Sequence, residues 1–448
     1  MKMTSEKTAN QSLKPLTLCR GTDGCLEMGG CNLVTLAHQY GTPLYVMDEA
    51  TLSAMIGAYK KAFAPYPKTH ITFASKALMT GAIARLFANN GLGFDVVSGG
   101  EIQTLLCAGI SLNQTCFNGN NKSTKELKLA LDNHVALISV DNFWELEHLN
   151  TLCAERNRHQ SIHLRITPGI ECHTHEYIQT GQIDSKFGFD LNTIDQALTL
   201  IKKDYTHLNL TGLHAHIGSQ IFETDVYYDV VKVLLTEMKR IQDTFDLTLT
   251  ELNIGGGLGI TYTPEDTPPS VFQIAEKVIT SLRENCAELG MDLPTLYIEP
   301  GRSLVGSAGV TLYTIGARKD IQGIRTYISV DGGMADNPRP AMYQAEYQAE
   351  IANTKPGNHV ETVTVAGRFC ESGDILLKDV SLNTPQTGDI LCMYDTGAYC
   401  YSMASNYNRT LTPAMILVKD GSADVIVRRQ TYEQLLQNDV IPERLKGK

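Results

Sequence analysis

Eight short apolar runs set the tightest limit on what this chain can fold into. Each ends in polar or glycine-rich residues, and each is followed by a stretch with helix-like spacing. The runs are HITFASK near 70–76, GFDVVS near 93–98, TCFNG near 115–119, ALISVD near 136–141, HLRITP near 163–168, LTGLHAHIGS near 210–219, ELNIGGG near 251–257 and TLYIEPG near 295–301. Between the runs, Val230, Leu234, Met238 and Ile241 share one helical stripe, and Ser123 with Glu126 has capping-box spacing. Eight alternating units predict an α/β fold, a parallel (β/α)8 TIM-type barrel, with a doubly wound open sheet as the alternative.

The texture changes after residue 305. TLYTIGA, TYISVDGG, ETVTVAG, GDILLKD, GDILCMYD, AMILVKD and ADVIVRR read as strands between turn residues, and helical runs are scarce until 431–437. That predicts an all-β C-terminal domain, a β-barrel or β-sandwich. The turn-rich segment LCRGTDGCLEMGGC near 18–31 is strand-like as well. The expected division is a disordered tail over 1–14, an N-terminal segment over 15–44 joining the β domain, the barrel over 45–305 and the β domain over 306–448.

Charge and cysteine usage narrow the function classes. Lys and Arg number 38 against 49 Asp and Glu, a net charge of −11 with no basic stripe, which argues against nucleic acid and anionic membranes as partners. No apolar run is long enough to span a bilayer, and the N-terminus lacks the apolar core of a secretory signal. The 11 cysteines are scattered with no CxxC pair, as expected of reduced thiols in a cytoplasmic enzyme. Even spacing of Cys19, Cys25 and Cys31 fits no zinc pattern.

In a barrel of this kind the chemistry gathers at the C-terminal ends of the strands. There the sequence places Lys76, Asp95, Ser98, Arg165, His216-Ile-Gly-Ser219, Gly255-Gly256-Gly257 and Glu299-Pro300-Gly301-Arg302. Lys76 stands alone among apolar neighbours, and burial there would lower its pKa, as covalent work by an amine requires. His214 and His216 share one side of a strand, and His173 and His175 lie close together. Both pairs raise a metal question, but a satisfied core histidine is the default for His214 or His216 alone, the Gly-Ser turn tips His216 toward the site, and His173 and His175 lie on a loop without an obvious third ligand, so no metal is expected. A glycine triplet lets backbone N–H groups approach a phosphate, although such triplets also fill ordinary turns. Glu299 beside Arg302 reads equally as a rim ion pair until it is taken with its neighbours. Taken together, the set suits a phosphorylated cofactor that needs an amine for attachment and a carboxylate for a ring nitrogen, and pyridoxal 5'-phosphate meets that description.

Phe-Ala-Ser-Lys76-Ala, Gly-Phe-Asp95-Val-Val-Ser-Gly-Gly-Glu101, His214-Ala-His216-Ile-Gly-Ser-Gln, Ile-Gly-Gly-Gly-Leu-Gly and Glu299-Pro-Gly-Arg-Ser resemble the fold type III pyridoxal-phosphate decarboxylases. Val-Asp-Gly-Gly-Met-Ala-Asp-Asn-Pro-Arg339-Pro-Ala-Met-Tyr343, Cys370-Glu371-Ser-Gly-Asp and Thr-Gly-Ala-Tyr399-Cys-Tyr resemble the diaminopimelate decarboxylase branch of that family. The resemblance runs from about Gly41 to Arg429. It implies a homodimer with active sites completed by the partner's β domain, and the last step of lysine biosynthesis, meso-2,6-diaminopimelate to L-lysine and CO2.

The resemblance also assigns roles. Lys76 would hold the cofactor covalently, with Asp95 and Tyr399 among the cofactor-binding residues. His216 would stack on the pyridine ring, and Glu299 would pair with its nitrogen. Gly255 to Gly257, Ser219 and the Pro300-Gly301-Arg302 segment would bind the phosphate. Arg302, Arg339, Tyr343 and Tyr399 would hold the substrate, Glu371 would meet its distal amine, and Cys370 would return the proton. Lys76 is followed by Ala-Leu where many relatives have Ala-Asn or Ala-Phe, and Asp-Asn-Pro precedes Arg339, which leaves fine substrate preference open. A second reading is a decarboxylase of another amino acid. A third is a barrel that binds the cofactor without turnover, for which Cys370 would have no use.

Overall fold

The computed structural model describes residues 6–169, 185–354, 357 and 359–446. His173 and His175 lie outside them. The chain forms two compact units: Met1–Ser12 with Leu52–Gly306, and Leu13–Thr51 with Ser307–Lys448.

All eight apolar runs become strands of the first unit: β1 (Thr69–Ala74), β2 (Gly93–Val96), β3 (Thr115–Phe117), β4 (Leu137–Val140), β5 (Gln160–Arg165), β6 (Leu208–His214), β7 (Glu251–Asn253) and β8 (Thr295–Ile298). Each pairs in parallel with the next, and β8 pairs with β1, Leu296 opposite Thr69. That closure excludes the open-sheet alternative. Parallel strands covered by helices are buried on both faces, which is why these segments read as continuous apolar runs. The stripe of Val230, Leu234, Met238 and Ile241 is buried on the helix Asp225–Phe245.

Short, well-capped connections hold the strand ends in place. After β1 to β4 the next helix opens at Thr80, Ser98, Ser123 or Asn142. Each side chain accepts from the backbone N–H three residues on, and Ser123 with Glu126 forms the expected capping box. One buried ion pair ties the connection after β3 to the first turn of the helix Phe143–Glu155. Lys122 Nζ donates to Glu145 Oε1 at 2.7 Å, to the Gly119 carbonyl at 2.8 Å and to the Ser139 carbonyl at 2.7 Å.

The tail reading fails for part of 1–14. Ala9–Gln11 form a 3-10 turn, and Asn10 is fully buried, its amide donating to the carbonyls of Gly259 and Pro269. Two satisfied hydrogen bonds on a buried amide anchor this segment to the barrel unit.

The second unit is mostly sheet. Its strands run in the order Ile375–Asn383, Val360–Ala366, Arg325–Val330, Gly309–Ile321, Leu44–Asp48, Ala414–Lys419, Ser422–Val427, with Ile390–Met393 pairing with Gly309–Ile321 off this path. Cys19–Arg20, Leu26–Met28 and Cys31–Asn32 form a small three-stranded sheet in the same unit. The core includes Leu26, Met28, Leu33, Val46, Val310, Leu312, Ile390, Ile416 and Val418. Here the expected boundary at 44/45 moves. Leu44–Asp48 is buried at every position and pairs with Gly309–Ile321 and Ala414–Lys419, so the barrel unit resumes only at Leu52. No disulfide joins the cysteines among the described residues. No helix among them is long and apolar enough to cross a membrane.

Candidate active site

Buried polar residues gather at the C-terminal mouth of the barrel. Asn118 and Asp141 follow β3 and β4 directly, Arg165 ends β5, His214 ends β6, Asn253 ends β7, and Glu299 follows β8. Glu299 lies at the centre, 6% exposed. Its Oε1 accepts from Asn253 Nδ2 at 2.7 Å and from Asn118 Nδ2 at 3.1 Å. Its Oε2 faces His214 Nε2 at 3.2 Å. Asn118 also donates to Asp95 Oδ1 at 2.5 Å, so one amide bridges two carboxyl groups.

Those two groups cannot share the site as two anions. Burial drives the Asp95 carboxyl well above its usual range, and the charge on Glu299 pushes it further the same way. Burial acts on Glu299 too, but His214 and the Asn253 amide outweigh it and hold Glu299 below the ordinary carboxylate range. Three donors converge on Glu299 and one reaches Asp95, so the geometry favours the anion on Glu299. Burial, with the Lys76 charge next, holds His216 well below the usual imidazole range.

Backbone geometry completes the wall. His216 Nδ1 accepts from the Gly256 N–H at 3.2 Å, which fixes the plane of the ring. The Gly255 N–H goes to Asn253 Oδ1 at 2.9 Å. Two of the three amides in the glycine triplet are thus engaged, and the phosphate reading narrows to the third, Gly257. Glycine is required here. A Cβ at Gly256 would lie 2.1 Å from the Glu299 carbonyl, and Gly257 has φ +114°. The Arg302 guanidinium donates to the Tyr262 hydroxyl at 2.7 Å and to Ser219 Oγ at 2.9 Å.

Lys76 lies in the 3-10 turn Ser75–Ala77 directly after β1. Its side chain is exposed in this chain, against the expectation of burial. A cavity of about 360 Å³ opens at the other end of the barrel, lined by His70, Gly93, Leu137, Glu251 and Tyr297 among others, away from this chemistry. Asn118, Asn253 and Tyr262 were missed from sequence. The first two end the runs TCFN and ELN, so reading every polar strand end alike would have found them.

The remaining candidates belong to the second unit. Arg339 is buried, opens the short helix Arg339–Tyr343 and donates to the Tyr347 hydroxyl. Cys370 and Glu371 are exposed, and the Cys370 N–H donates to Asn408 Oδ1 at 3.1 Å. The buried Asp374 carboxylate ties their turn to the segment before Arg339, accepting from Phe369 N–H at 2.9 Å and Met334 N–H at 2.7 Å. Tyr399 is half-buried, with φ +60°. No group of three or more potential metal ligands is present among the described residues.

The donor set suits a pyridoxal group. A carboxylate offers about four acceptor sites, and three on Glu299 are filled, which leaves room for one further N–H such as that of a protonated ring nitrogen. Residues 49–306 match the family model described as "Pyridoxal-dependent decarboxylase, pyridoxal binding domain". The fold and site define a pyridoxal-dependent carboxy-lyase.

Along nearly its whole length the chain is 49% identical to the diaminopimelate decarboxylase of Synechocystis sp., covering 99% of this chain and 96% of the relative. It is 45% identical to that of Bacillus subtilis, over 93% and 95%. A solved diaminopimelate decarboxylase from M. jannaschii, in complex with L-lysine, superposes with a TM-score of 0.90 at 31% identity, covering 98% of this chain and all of that one. The chain belongs to the diaminopimelate decarboxylase family.

Proposed function

We propose that this protein decarboxylates meso-2,6-diaminopimelate to L-lysine and CO2 with pyridoxal 5'-phosphate as cofactor. The observation that carries the reading is the buried Glu299 anion, held by three donors with one acceptor site remaining. When bound, the pyridoxal group supplies an electron sink for the bond that releases CO2. Lys76 holds that group through its amine, and Glu299 keeps the ring nitrogen protonated. His216, its plane fixed by Gly256, presents a neutral flat face. The Gly257 amide, Ser219 and the Gly301-Arg302 backbone serve the phosphate.

Arg302, Arg339, Tyr343 and Tyr399 hold the substrate. An arginine reads the distal carboxylate with bidentate geometry, and that carboxylate distinguishes diaminopimelate from lysine or ornithine. Glu371 meets the distal amine. Cys370 returns a proton to the carbon that has lost CO2. The exposure of Cys370, Glu371 and Lys76 in a single chain supports a homodimer in which the partner's β domain completes each site. The absence of disulfides among the described cysteines supports a cytoplasmic setting.

CO2 release by the cofactor-loaded protein tests this, with meso-diaminopimelate, L- and D-ornithine, D-lysine and arginine compared side by side. Turnover of diaminopimelate alone, yielding L-lysine, is expected. Turnover only of another amino acid would overturn the roles of Arg339 and Glu371 and assign the chain a different substrate.

A further inference from the structure

His214 has no part in the scheme above, although its spacing from His216 first suggested a metal pair. Its side chain is 1% exposed. Nε2 lies 3.2 Å from Glu299 Oε2, and Nδ1 is buried without a hydrogen-bond partner. A protonated imidazole carries two N–H donors, and burying one of them unpaired is costly. The bare Nδ1 therefore marks a neutral ring with its proton on Nε2, donated to Glu299. The charges around it agree. Burial disfavours the imidazolium, Glu299 favours it, and Arg165 and His163 both oppose it.

The three donors to Glu299 are not equivalent. Asn118 is shared with Asp95, so it steadies either carboxylate. Asn253 also binds the Gly255 N–H through its Oδ1, which locks it into the glycine loop. His214 is the donor on Oε2 and has no bond to Asp95. Together with Asn253, which likewise donates to Glu299 and not to Asp95, it breaks the symmetry between the two carboxyl groups in favour of the anion on Glu299, and it alone fixes Oε2.

We propose that His214 is a positioning residue for decarboxylation: its Nε2–H, donated to Glu299 Oε2, keeps the anion on Glu299 and sets that carboxylate's orientation toward the cofactor's ring nitrogen. This rests on the reading that Glu299 serves that nitrogen.

The test uses holoenzyme reconstituted with pyridoxal phosphate labelled with 15N in the ring. The ring nitrogen's chemical shift reports whether it is protonated, and cofactor occupancy and Tm are measured alongside. His214→Leu removes the donor. It should move the 15N signal toward the neutral-nitrogen position and lower kcat at least about tenfold, the effect of one pKa unit, with KM and occupancy unchanged. His214→Gln, whose amide reaches as far as Nε2, should restore both. If His214→Leu does not fold, His214→Asn gives the same comparison, because its amide mirrors Nδ1 and not Nε2.

An unmoved 15N signal with wild-type kcat in the donor-less variant overturns the proposal. So does equal loss in the Gln and Leu variants, which would mark a merely structural role. Glu299→Gln separates the two levels of the argument. If that variant leaves the 15N signal unmoved, the assignment of Glu299 itself fails, whatever His214 does.

Discussion

Replacing Lys122 by Met should destabilise the barrel strongly and in a pH-dependent way. The side chains of Lys122 and Glu145 are each 1% exposed. Met keeps most of the lysine stem's volume, so the change removes charge without opening a large void. It leaves Glu145 Oε1 and the carbonyls of Gly119 and Ser139 without their donor, while Glu145 Oε2 keeps the Asp141 N–H at 3.0 Å. Removing one partner of a buried ion pair costs about 3–5 kcal/mol.

The sign of the pH effect follows from Glu145. Burial already raises its pKa in the folded protein, and Lys122 is the largest influence pulling it back down. Without Lys122 the folded carboxyl holds its proton to higher pH than the unfolded one does. Stability then falls as pH rises above the unfolded value, by up to about 1.4 kcal/mol per pH unit. The deficit should therefore be larger at pH 8 than at pH 5. Trp144, the only tryptophan in the chain, neighbours Glu145 and makes urea unfolding of the barrel readable by fluorescence. Glu145→Gln in the Lys122→Met background should recover about 1–3 kcal/mol at pH 8. A deficit below about 1 kcal/mol at pH 8, or one equal at both pH values, would refute the reasoning.

Three further outcomes are expected. Cys370→Ala should lower kcat by about 10²–10⁴, the range for a lost general acid, and a steady-state assay showing no change would hand the proton to another group. Mixing inactive Lys76→Ala and Cys370→Ala proteins should restore activity through heterodimers. No recovery after proven subunit exchange would end the shared-site model. Burial raises Asp336 to about 7 in the β unit, where its carboxyl also accepts from Tyr313 and the Gly333 N–H. Its folded pKa exceeds the unfolded one, so stability should fall as pH rises from about 4 toward 7, and Asp336→Asn should flatten that slope in thermal scans.

The barrel was legible because β2, β3 and β4 are buried at every position and β5 at all but one, so that they read as short apolar runs at a regular spacing. The same property misled at Leu44–Asp48. LYVMD is buried at all five positions, so periodicity could not tell a β-unit strand from the opening of the barrel. Asn10 was lost because a lone polar residue in a polar tail carries no sign that its amide will find two buried carbonyls. Glu299 and His216 were readable from strand-end position. What held them was not. The donors Asn118, His214 and Asn253 come from three different strands, and only barrel closure brings them onto one carboxylate. The engagement of the Gly256 amide also depends on a distant residue, His216, whereas the Gly255 amide is held locally by Asn253, two residues before it.

The strand Leu44–Asp48 has a consequence for biosynthesis. Its two neighbours in the sheet, Gly309–Ile321 and Ala414–Lys419, are synthesised only after the whole barrel sequence. Until then this strand waits with both edges unpaired and every side chain apolar or destined for burial, the profile of an aggregation template. The nascent chain must therefore complete its barrel first and close its β unit last. Translation that stops short of Ala414 releases a product with one edge of this strand still open, so C-terminal truncation should mark the chain for chaperone capture before any loss of chemistry matters.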